Sequence, residues 1–241
     1  MKLGIIGYGR MGKLIEQLAK SRGHEIISII DVDSKDEINK NVDCYIDFSV
    51  ADALDKHLPV ICNLKIPIII GVTGWNDKLE NYKKLFLTNQ NIGIWGGNFS
   101  LGVNLFWKVI KQSTQIFDKF SNEYDILVHE FHHKNKIDSP SGTAIQTAQN
   151  IIDNSNHKNT MITEKLDRKR NENEIHVSSS RGGSIPGTHT VMFDSNYDTI
   201  EIVHTARSRE GFAIGAILAA EKISSIPPGL HNFSEIFDSI A

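Results

Sequence analysis

The sequence predicts an α/β protein, a doubly wound parallel-sheet domain joined to a smaller α+β domain with a mixed or antiparallel sheet. Three observations predict it. A short apolar strand, Lys2 to Ile6, runs directly into a glycine-rich turn and a helix. Short apolar runs and amphipathic helical patterns then alternate as far as residue 100, the rhythm of a parallel sheet with helical crossovers. Beyond residue 101 the rhythm breaks, and three strand-like segments follow one another with no helix between them. Such a run implies antiparallel or mixed pairing.

The turn after the first strand reads Gly7-Tyr8-Gly9-Arg10-Met11-Gly12, a G-x-G-x-x-G pattern. Met11, Leu14, Ile15, Leu18 and Ala19 form a helical stripe, and Gly23 stops that helix. Glu25 to Ile30 is a second strand. Asp31 follows it, 19 residues after Gly12, near the spacing at which a carboxylate grips the ribose hydroxyls of adenosine. The glycines permit the tight turn, let the backbone approach a pyrophosphate and let the helix pack on the strand. Together these features predict a Rossmann-type dinucleotide site. Asp31 disfavours a 2′-phosphate by charge, whereas Lys35 lies close by in sequence and Arg10 sits in the glycine loop, two cations that favour one. NADH and NADPH therefore both stand as cofactors.

The alternation continues with a strand from Asp43 to Phe48 and a helix from Ala51 to Leu64, which Pro59 should kink or restart. Pro67 to Ile70 is a continuous apolar run, as in a parallel strand buried on both faces. It ends in Gly71-Val72-Thr73-Gly74, at the sheet edge where doubly wound folds bind ligands. Leu79 to Leu87 is helical, Ile92 to Trp95 is a strand, and Gly96-Gly97-Asn98-Phe99-Ser100 follows at the same edge. Three glycine-bearing loops after successive strands suit one cofactor lying across them. Residues 1–100 are thus expected to form the dinucleotide-binding domain.

A long helix opens the second domain, residues 101–209, with Leu101, Leu105, Phe106, Val109, Ile110, Ile116 and Phe117 as its apolar face. Tyr124 to Val128 is a strand entering the segment from Glu130 to Ala144, where His132, His133 and Lys136 crowd together. Imidazole suits proton transfer near neutral pH, and lysine supplies positive charge or a proton. Pro140 ends what precedes it, and Ser141 can cap a helix through Ala144, Ile145, Ala148, Ile151 and Ile152. The amides of Gly142 and Thr143 at that helix start favour an anion such as a carboxylate. His129-Glu130-Phe131-His132-His133 also matches the H-E-x-x-H zinc pattern. That pattern needs a helix. On a strand, the outer histidines lie roughly 13 Å apart, too far to share a metal, so no metal is expected.

Residues 154–174 are strongly polar and read as an exposed, solvated connection. Strands are expected at 175–180, 188–193 and 199–205, with an Arg181-containing glycine-rich loop between the first two. Gly211 to Ile223 is helical again, and residues 210–241 are expected to pack back on the first domain. The 241 residues are 40% hydrophobic and 23% charged, with a formal net charge of -3. This composition gives no reason to expect nucleic-acid binding. No apolar run reaches the length of a membrane span. Cys44 and Cys62 lie in apolar surroundings without metal or redox spacing, as buried, reduced thiols. With a strand beginning at Lys2, no signal peptide is expected, and the protein is placed in the cytoplasm.

The segment Glu130-x-His132-His133-x-x-Lys136-x-Asp138-x-Pro140-Ser141-Gly142-Thr143-Ala144 resembles the dihydrodipicolinate (4-hydroxy-tetrahydrodipicolinate) reductase family. Gly7-x-Gly9-Arg10-Met11-Gly12, Gly71-Val72-Thr73-Gly74, Asn98-Phe99-Ser100-x-Gly102-Val103-Asn104, Arg181-Gly182-Gly183-x-x-x-Gly187-x-His189 and Ser208-Arg209-x-x-Phe212-Ala213 fit in the family's order. The resemblance implies NADH- or NADPH-dependent reduction of a cyclic imine dicarboxylate to tetrahydrodipicolinate in lysine and diaminopimelate biosynthesis. It implies His132 as proton donor or acceptor, Lys136 as a second proton donor, and substrate contacts at His133, Lys136, Ser141, Gly142 and Thr143. Cofactor contacts fall on Gly7, Tyr8, Gly9, Arg10, Met11, Gly12, Asp31, Gly71, Val72, Thr73, Gly96, Gly97, Asn98 and Phe99. It also implies a homotetramer assembled through the second domain's sheet.

The first loop departs from the family by being one residue short, and Val32 stands where some members carry an arginine. Both changes bear on cofactor preference. Two other readings stand beside this one. A related nicotinamide dehydrogenase acting on an amino or hydroxy acid has no evident need for the Ser141-Gly142-Thr143 cradle. A non-catalytic nucleotide sensor would tolerate loss of His132 and Lys136.

Overall fold

Apolar runs and glycine turns fold as their pattern requires in the computed structural model, which describes residues 1–32 and 37–240. Lys35 lies outside the described residues. In chain order the elements are β1 (Lys2–Ile6), α1 (Arg10–Ser21), β2 (Glu25–Ile30), β3 (Cys44–Asp47), α2 (Ala51–Asn63), β4 (Ile68–Ile70), α3 (Leu79–Asn89) and β5 (Ile92–Trp95). They continue with α4 (Leu101–Phe117), β6 (Asp125–His132), α5 (Gly142–Ile152), β7 (Thr160–Ile162), β8 (Glu174–Arg181), β9 (Thr188–Asp194) and β10 (Thr199–Thr205). The chain closes with α6 (Glu210–Lys222), β11 (Gly229–Asn232) and α7 (Phe237–Ile240). Two units result, Met1–Leu101 with Arg209–Ala241, and Gly102–Ser208.

The first unit is a parallel six-stranded sheet in the order β11-β5-β4-β3-β1-β2. Strand alternation divides its apolar residues between two clusters. Leu3, Ile5, Ile46, Ile69 and Ile94 pack with Ile15 and Ala19 of α1 and with Ala213, Ala216 and Ile217 of α6. Ile6, Tyr45, Ile68 and Ile70 pack instead with Leu54 and Leu58 of α2 and Phe86 of α3. Each face thus receives its own helices, the doubly wound arrangement. Strand order reverses between β1 and β3, the position at which such sheets open a crevice. The helix α6 packs in this unit. The helix α2 does not restart at Pro59 but runs on to Asn63, losing one helical hydrogen bond at the proline. The four-residue β11 was not foreseen, being too short for a periodic signal.

The second unit is a mixed sheet in the order β10-β9-β6-β8-β7. The pairs β10/β9 and β9/β6 are antiparallel, whereas β6/β8 and β7/β8 are parallel. Ile126, Val128, Ile175, Val177, Val191 and Phe193 meet Phe106 and Ile110 of α4 and Ala144, Ala148 and Ile151 of α5 in one core. The apolar stripe expected on α4 needs correction. Leu105, Val109 and Ile116 are exposed, and the buried face is Val103, Asn104, Phe106, Trp107, Ile110 and Thr114. Trp107 anchors that face, its indole nitrogen donating to Thr147 on α5 (2.9 Å).

The polar segment 154–174 is also more than a solvated surface. Lys158 is buried with its ammonium 2.6 Å from Asp125, and Arg170 pairs with the same carboxylate. Arg168 holds the buried Glu174 at 2.6 Å. Buried charges need partners; Asp125 comes from a strand distant in sequence, whereas Arg168 and Glu174 pair locally.

Candidate active site

In the first unit the glycines sort by what a side chain would meet. Gly7 has φ +84°, and a Cβ there would stand 2.6 Å from the Ser49 amide nitrogen. A Cβ at Gly12 would stand 2.3 Å from the Gly7 carbonyl oxygen. The chain itself requires these two. Gly9 differs, since it begins α1 at φ -75°, with no atom within 4 Å of its Cβ position. The first turn of α1 holds no acidic residue, which leaves the helix's positive end suited to an anion. A pyrophosphate fits this start, because open space lies where any other residue would project a side chain. Gly97 is likewise open.

The remaining residues expected to meet a cofactor divide between exposed and structural positions. Arg10, Asp31 and Thr73 are exposed. Tyr8 donates its hydroxyl to Glu16 and lies under the Lys13 ammonium, 5.8 Å from the ring centre. Met11 is half-buried on the core. Val72 is buried, and its carbonyl accepts from the Trp75 indole (2.7 Å). Phe99 is buried between Phe48 (6.2 Å) and Phe233 (4.6 Å), so only its backbone is placed to meet a ligand. Asn98 accepts the Ser100 amide at 2.9 Å, and Gly96 is buried against Phe233.

The sequence had not singled out Asp47-Phe48-Ser49, at the carboxyl end of β3. Gly7 abuts the Ser49 backbone, and a Cβ on Gly71 would come within 2.4 Å of the Phe48 ring. Asp47 is fully buried and accepts from the Ser49 amide (2.8 Å). Burial pushes its carboxyl up to about 6, against the hydrogen bonds from Ser49. The signal that marks this loop is its place beside the strand-order reversal.

In the second unit, β6 buries alternate residues. Ile126 and Val128 are apolar, but the next two inward positions are Glu130 and His132, both buried. The register sets His189 of β9 opposite Glu130 and Arg181 of β8 beside His132. Glu130 Oε1 accepts from the Ser141 amide (2.8 Å) and from Arg181 Nη2 (2.8 Å). Its Oε2 accepts from the Ser141 hydroxyl and lies 3.5 Å from His189 Nε2. Burial alone would raise this carboxyl, but His189, Ser141 and Arg181 outweigh it and hold the group well below the ordinary carboxylate range. Glu130 is therefore a buried anion at neutral pH.

His132 Nδ1 lies 3.1 Å from Glu130 Oε2, yet its direction is unsuited to a hydrogen bond, so the contact is electrostatic. Burial lowers the imidazole to about 4; Glu130 opposes this, while His189, Lys136 and Arg181 add to it. The ring is held from one side by Gly187, where a Cβ would stand 2.9 Å from Nε2. Lys136 Nζ lies 2.7 Å from Asp138 Oδ1. Burial raises the Asp138 carboxyl, whereas Lys136 and the Gly142 amide lower it further, so the net shift is downward. A protein carboxylate thus already pairs with Lys136 ahead of the start of α5.

Ser141 caps α5 as expected, accepting the Ala144 amide at 3.2 Å. Gly142 is exposed with open space at its Cβ position, and no acidic residue occupies the first turn. His133 is half-buried, and its Nδ1 has no hydrogen-bond partner. The structure therefore brings His132, Ser141 and Glu130 together and pairs Lys136 with Asp138. Glu130, Arg181 and His189 were not among the expected site residues. Their signal is a charged residue at an apolar-face position of a strand, legible only once β8 and β9 are in register.

The H-E-x-x-H segment stays extended through His132. His129 sits on the opposite face of β6 from Glu130, bonded to Ser178 (2.7 Å) and edge-on to Phe131. Among the described residues, Glu130, His132 and His189 bring ligand atoms within 4.8 Å of one another. Arg181 and Ser141 already saturate that carboxylate, and a divalent ion would have to displace a guanidinium beside it. The donor set suits a hydrogen-bond network better than a metal.

Comparison with known proteins gives matches along nearly the whole chain. Residues 1–99 match the family model described as "Dihydrodipicolinate reductase, N-terminus", and residues 102–237 match "Dihydrodipicolinate reductase, C-terminus". The second match runs through α6 and β11, which fold into the first unit. The 4-hydroxy-tetrahydrodipicolinate reductase of Christiangramia forsetii is 39% identical, covering 92% of this chain and 91% of its own length. That of Staphylococcus aureus is 34% identical, over 98% of this chain and all of its own. The dipicolinate-bound dihydrodipicolinate reductase from Paenisporosarcina superposes with a TM-score of 0.78 at 21% identity, covering 98% of this chain and 99% of that one. That likeness shows the shared fold.

Proposed function

The chain belongs to the dihydrodipicolinate reductase family, and on that premise we propose how its residues divide the family's reaction. The reaction is NAD(P)H-dependent reduction of the cyclic imine dicarboxylate 4-hydroxy-tetrahydrodipicolinate to tetrahydrodipicolinate, in which hydride and proton are added and the 4-hydroxyl leaves as water, a step of lysine and diaminopimelate biosynthesis. NADH or NADPH, when bound, supplies the hydride. The first unit binds that cofactor through the Gly7–Gly12 loop, Asp31, the Gly71–Thr73 loop and Gly96–Phe99. The second unit binds the dicarboxylate.

One observation carries this division. His132 and the Ser141-capped start of α5 share one buried anion, Glu130, and Lys136 pairs with Asp138 just ahead of that helix end, whose first turn holds no acidic residue. Lys136 and the Gly142 and Thr143 amides hold carboxylate oxygens, and His133 adds a donor. His132 is neutral at pH 7 in the free protein, since burial holds it near 4. Two incoming carboxylates raise its proton affinity, so it gains and then transfers the proton that balances hydride addition. Lys136 stabilises charge that develops on the ring and is the second proton donor.

The second unit's sheet carries α4 and α5 on one face, while Phe131 and Val203 are 40% and 51% exposed on the other. A homotetramer assembled across that open face is the arrangement we favour. No helix of the described residues is long and apolar enough to cross a membrane, and Cys44 and Cys62 are buried free thiols. Both are in keeping with a cytoplasmic biosynthetic enzyme.

Absorbance assays of NADH and NADPH oxidation test the reading. Rapid oxidation is expected with the cyclic imine, and none with aspartate or with a 2-oxo acid plus ammonia. Turnover of the latter pair without turnover of the imine would assign a different dehydrogenase activity.

A further inference from the structure

We propose that Glu130 is the positioning residue of this site, one carboxylate that sets the start of α5, the His132 imidazole and the Arg181 guanidinium relative to one another. It rests on the functional reading above, and it extends the site to a residue that has no part in substrate contact.

The inward face of β6 would be apolar throughout if packing alone decided it. Ile126 and Val128 obey that rule, and Glu130 breaks it at zero exposure. A buried carboxylate survives only where donors surround it, and here those donors come from separate elements. The Ser141 amide and hydroxyl belong to the cap of α5, Arg181 to the end of β8, and His189 to β9. Arg181 Nη2 also donates to the Asp138 carbonyl at 2.6 Å. That contact ties the loop bearing Lys136 to the same anion. Moving the carboxylate therefore moves the anion cradle and the loop together.

Glu130 also acts on His132 by charge. The imidazole faces Glu130, His189, Lys136 and Arg181, and among these only Glu130 favours the protonated ring. Replacing it by an uncharged isostere leaves three groups that all disfavour the proton. A residue serving only packing would not exert this directional effect.

The test is Glu130→Gln in the full chain, with 2,6-pyridinedicarboxylate as the binding probe in calorimetry and the imine as substrate. Expected are a tenfold or greater loss of probe affinity and of kcat/KM for the imine, an unchanged KM for NADH, and a displaced acid limb in the pH profile of kcat. Glu130→Asp, which keeps the charge on a shorter stem, should recover part of both losses. Arg181→Lys provides the second variant should Gln at 130 prevent folding. It should weaken the probe in the same direction without altering NADH affinity.

Probe affinity and pH profile within twofold of the unmodified protein in these variants would overturn the proposal. So would a fall in kcat alone that tracks the folded fraction, which is the mark of a purely structural role. Failure of the unmodified protein to bind the probe or reduce the imine would be a separate result, one that removes the functional reading and the proposal with it.

Discussion

Gly9 stands at φ -75° with nothing within 4 Å of where a Cβ would be, so alanine there meets no protein atom and no backbone strain. If the fold alone mattered, the glycine would be unnecessary. Gly9→Ala should therefore leave urea stability within about 0.5 kcal/mol while weakening NADH binding at least tenfold, as read by fluorescence titration. Equal NADH affinity would remove the pyrophosphate from that helix start. A second residue-scale expectation concerns Asp138, whose carboxylate already pairs with Lys136 at 2.7 Å. An anionic ligand has to displace it, so Asp138→Asn should tighten 2,6-pyridinedicarboxylate several-fold in calorimetry. Weaker binding would instead show that Asp138 orients Lys136. At this scale the glycine loops, His132, Lys136 and Ser141 were legible, because each belongs to a local pattern with its own geometry. Glu130, Arg181 and His189 stood only as members of the family pattern and their role was not legible, because a buried charge makes sense only beside partners from β8 and β9, which lie 51 and 59 residues away in sequence.

Among the elements, α5 shows how much a short pattern can settle. Ser141 after Pro140 predicted a capped helix start, and the hydroxyl indeed accepts the Ala144 amide. Ser141→Ala removes that cap and one of the Glu130 donors, so it should cost roughly 1–2 kcal/mol in urea unfolding. A loss under about 0.3 kcal/mol would mean that neither contact matters to α5. The stripe read on α4 failed for a complementary reason. Leu105, Val109 and Ile116 are spaced as a helical face, but so are Val103, Phe106, Trp107, Ile110 and Thr114. Only the fit of Trp107 against Thr147 on α5 decides which face turns inward. Periodicity proposes a face, and packing chooses it. The strands β7 and β11 escaped notice because three or four residues carry too little alternation to register.

Across the whole molecule, the two units carry buried groups whose protonation works in opposite directions. In the second unit His132 titrates near 4 when folded, against 6.5 when unfolded. The fold favours its neutral form, and that stabilisation is present above pH 6.5 and lost as the pH falls toward 4. In the first unit Asp47 titrates near 6 when folded, against 3.8 when unfolded. Its contribution is present below 3.8 and lost as the pH rises through 6. Each is worth up to roughly 3 kcal/mol at its limit. His57, 4.0 Å from Asp47, is itself lowered by burial and partly offsets it, so single substitutions are needed to isolate each slope. Native-state hydrogen exchange between pH 7 and 4.5 should show Asp47→Asn changing the pH slope of β3 protection, and His132→Gln changing that of β6 with the opposite sign. Slopes of the same sign in both units would refute this assignment of the buried groups.

The division of labour itself is tested most directly by steady-state kinetics of His132→Gln and Lys136→Ala with the cyclic imine. Turnover should fall on the order of a hundredfold or more in each while the KM for NADH stays unchanged, because the first unit binds that cofactor. Turnover equal to that of the unmodified protein in both variants would contradict the placement of proton transfer and charge stabilisation in the second unit.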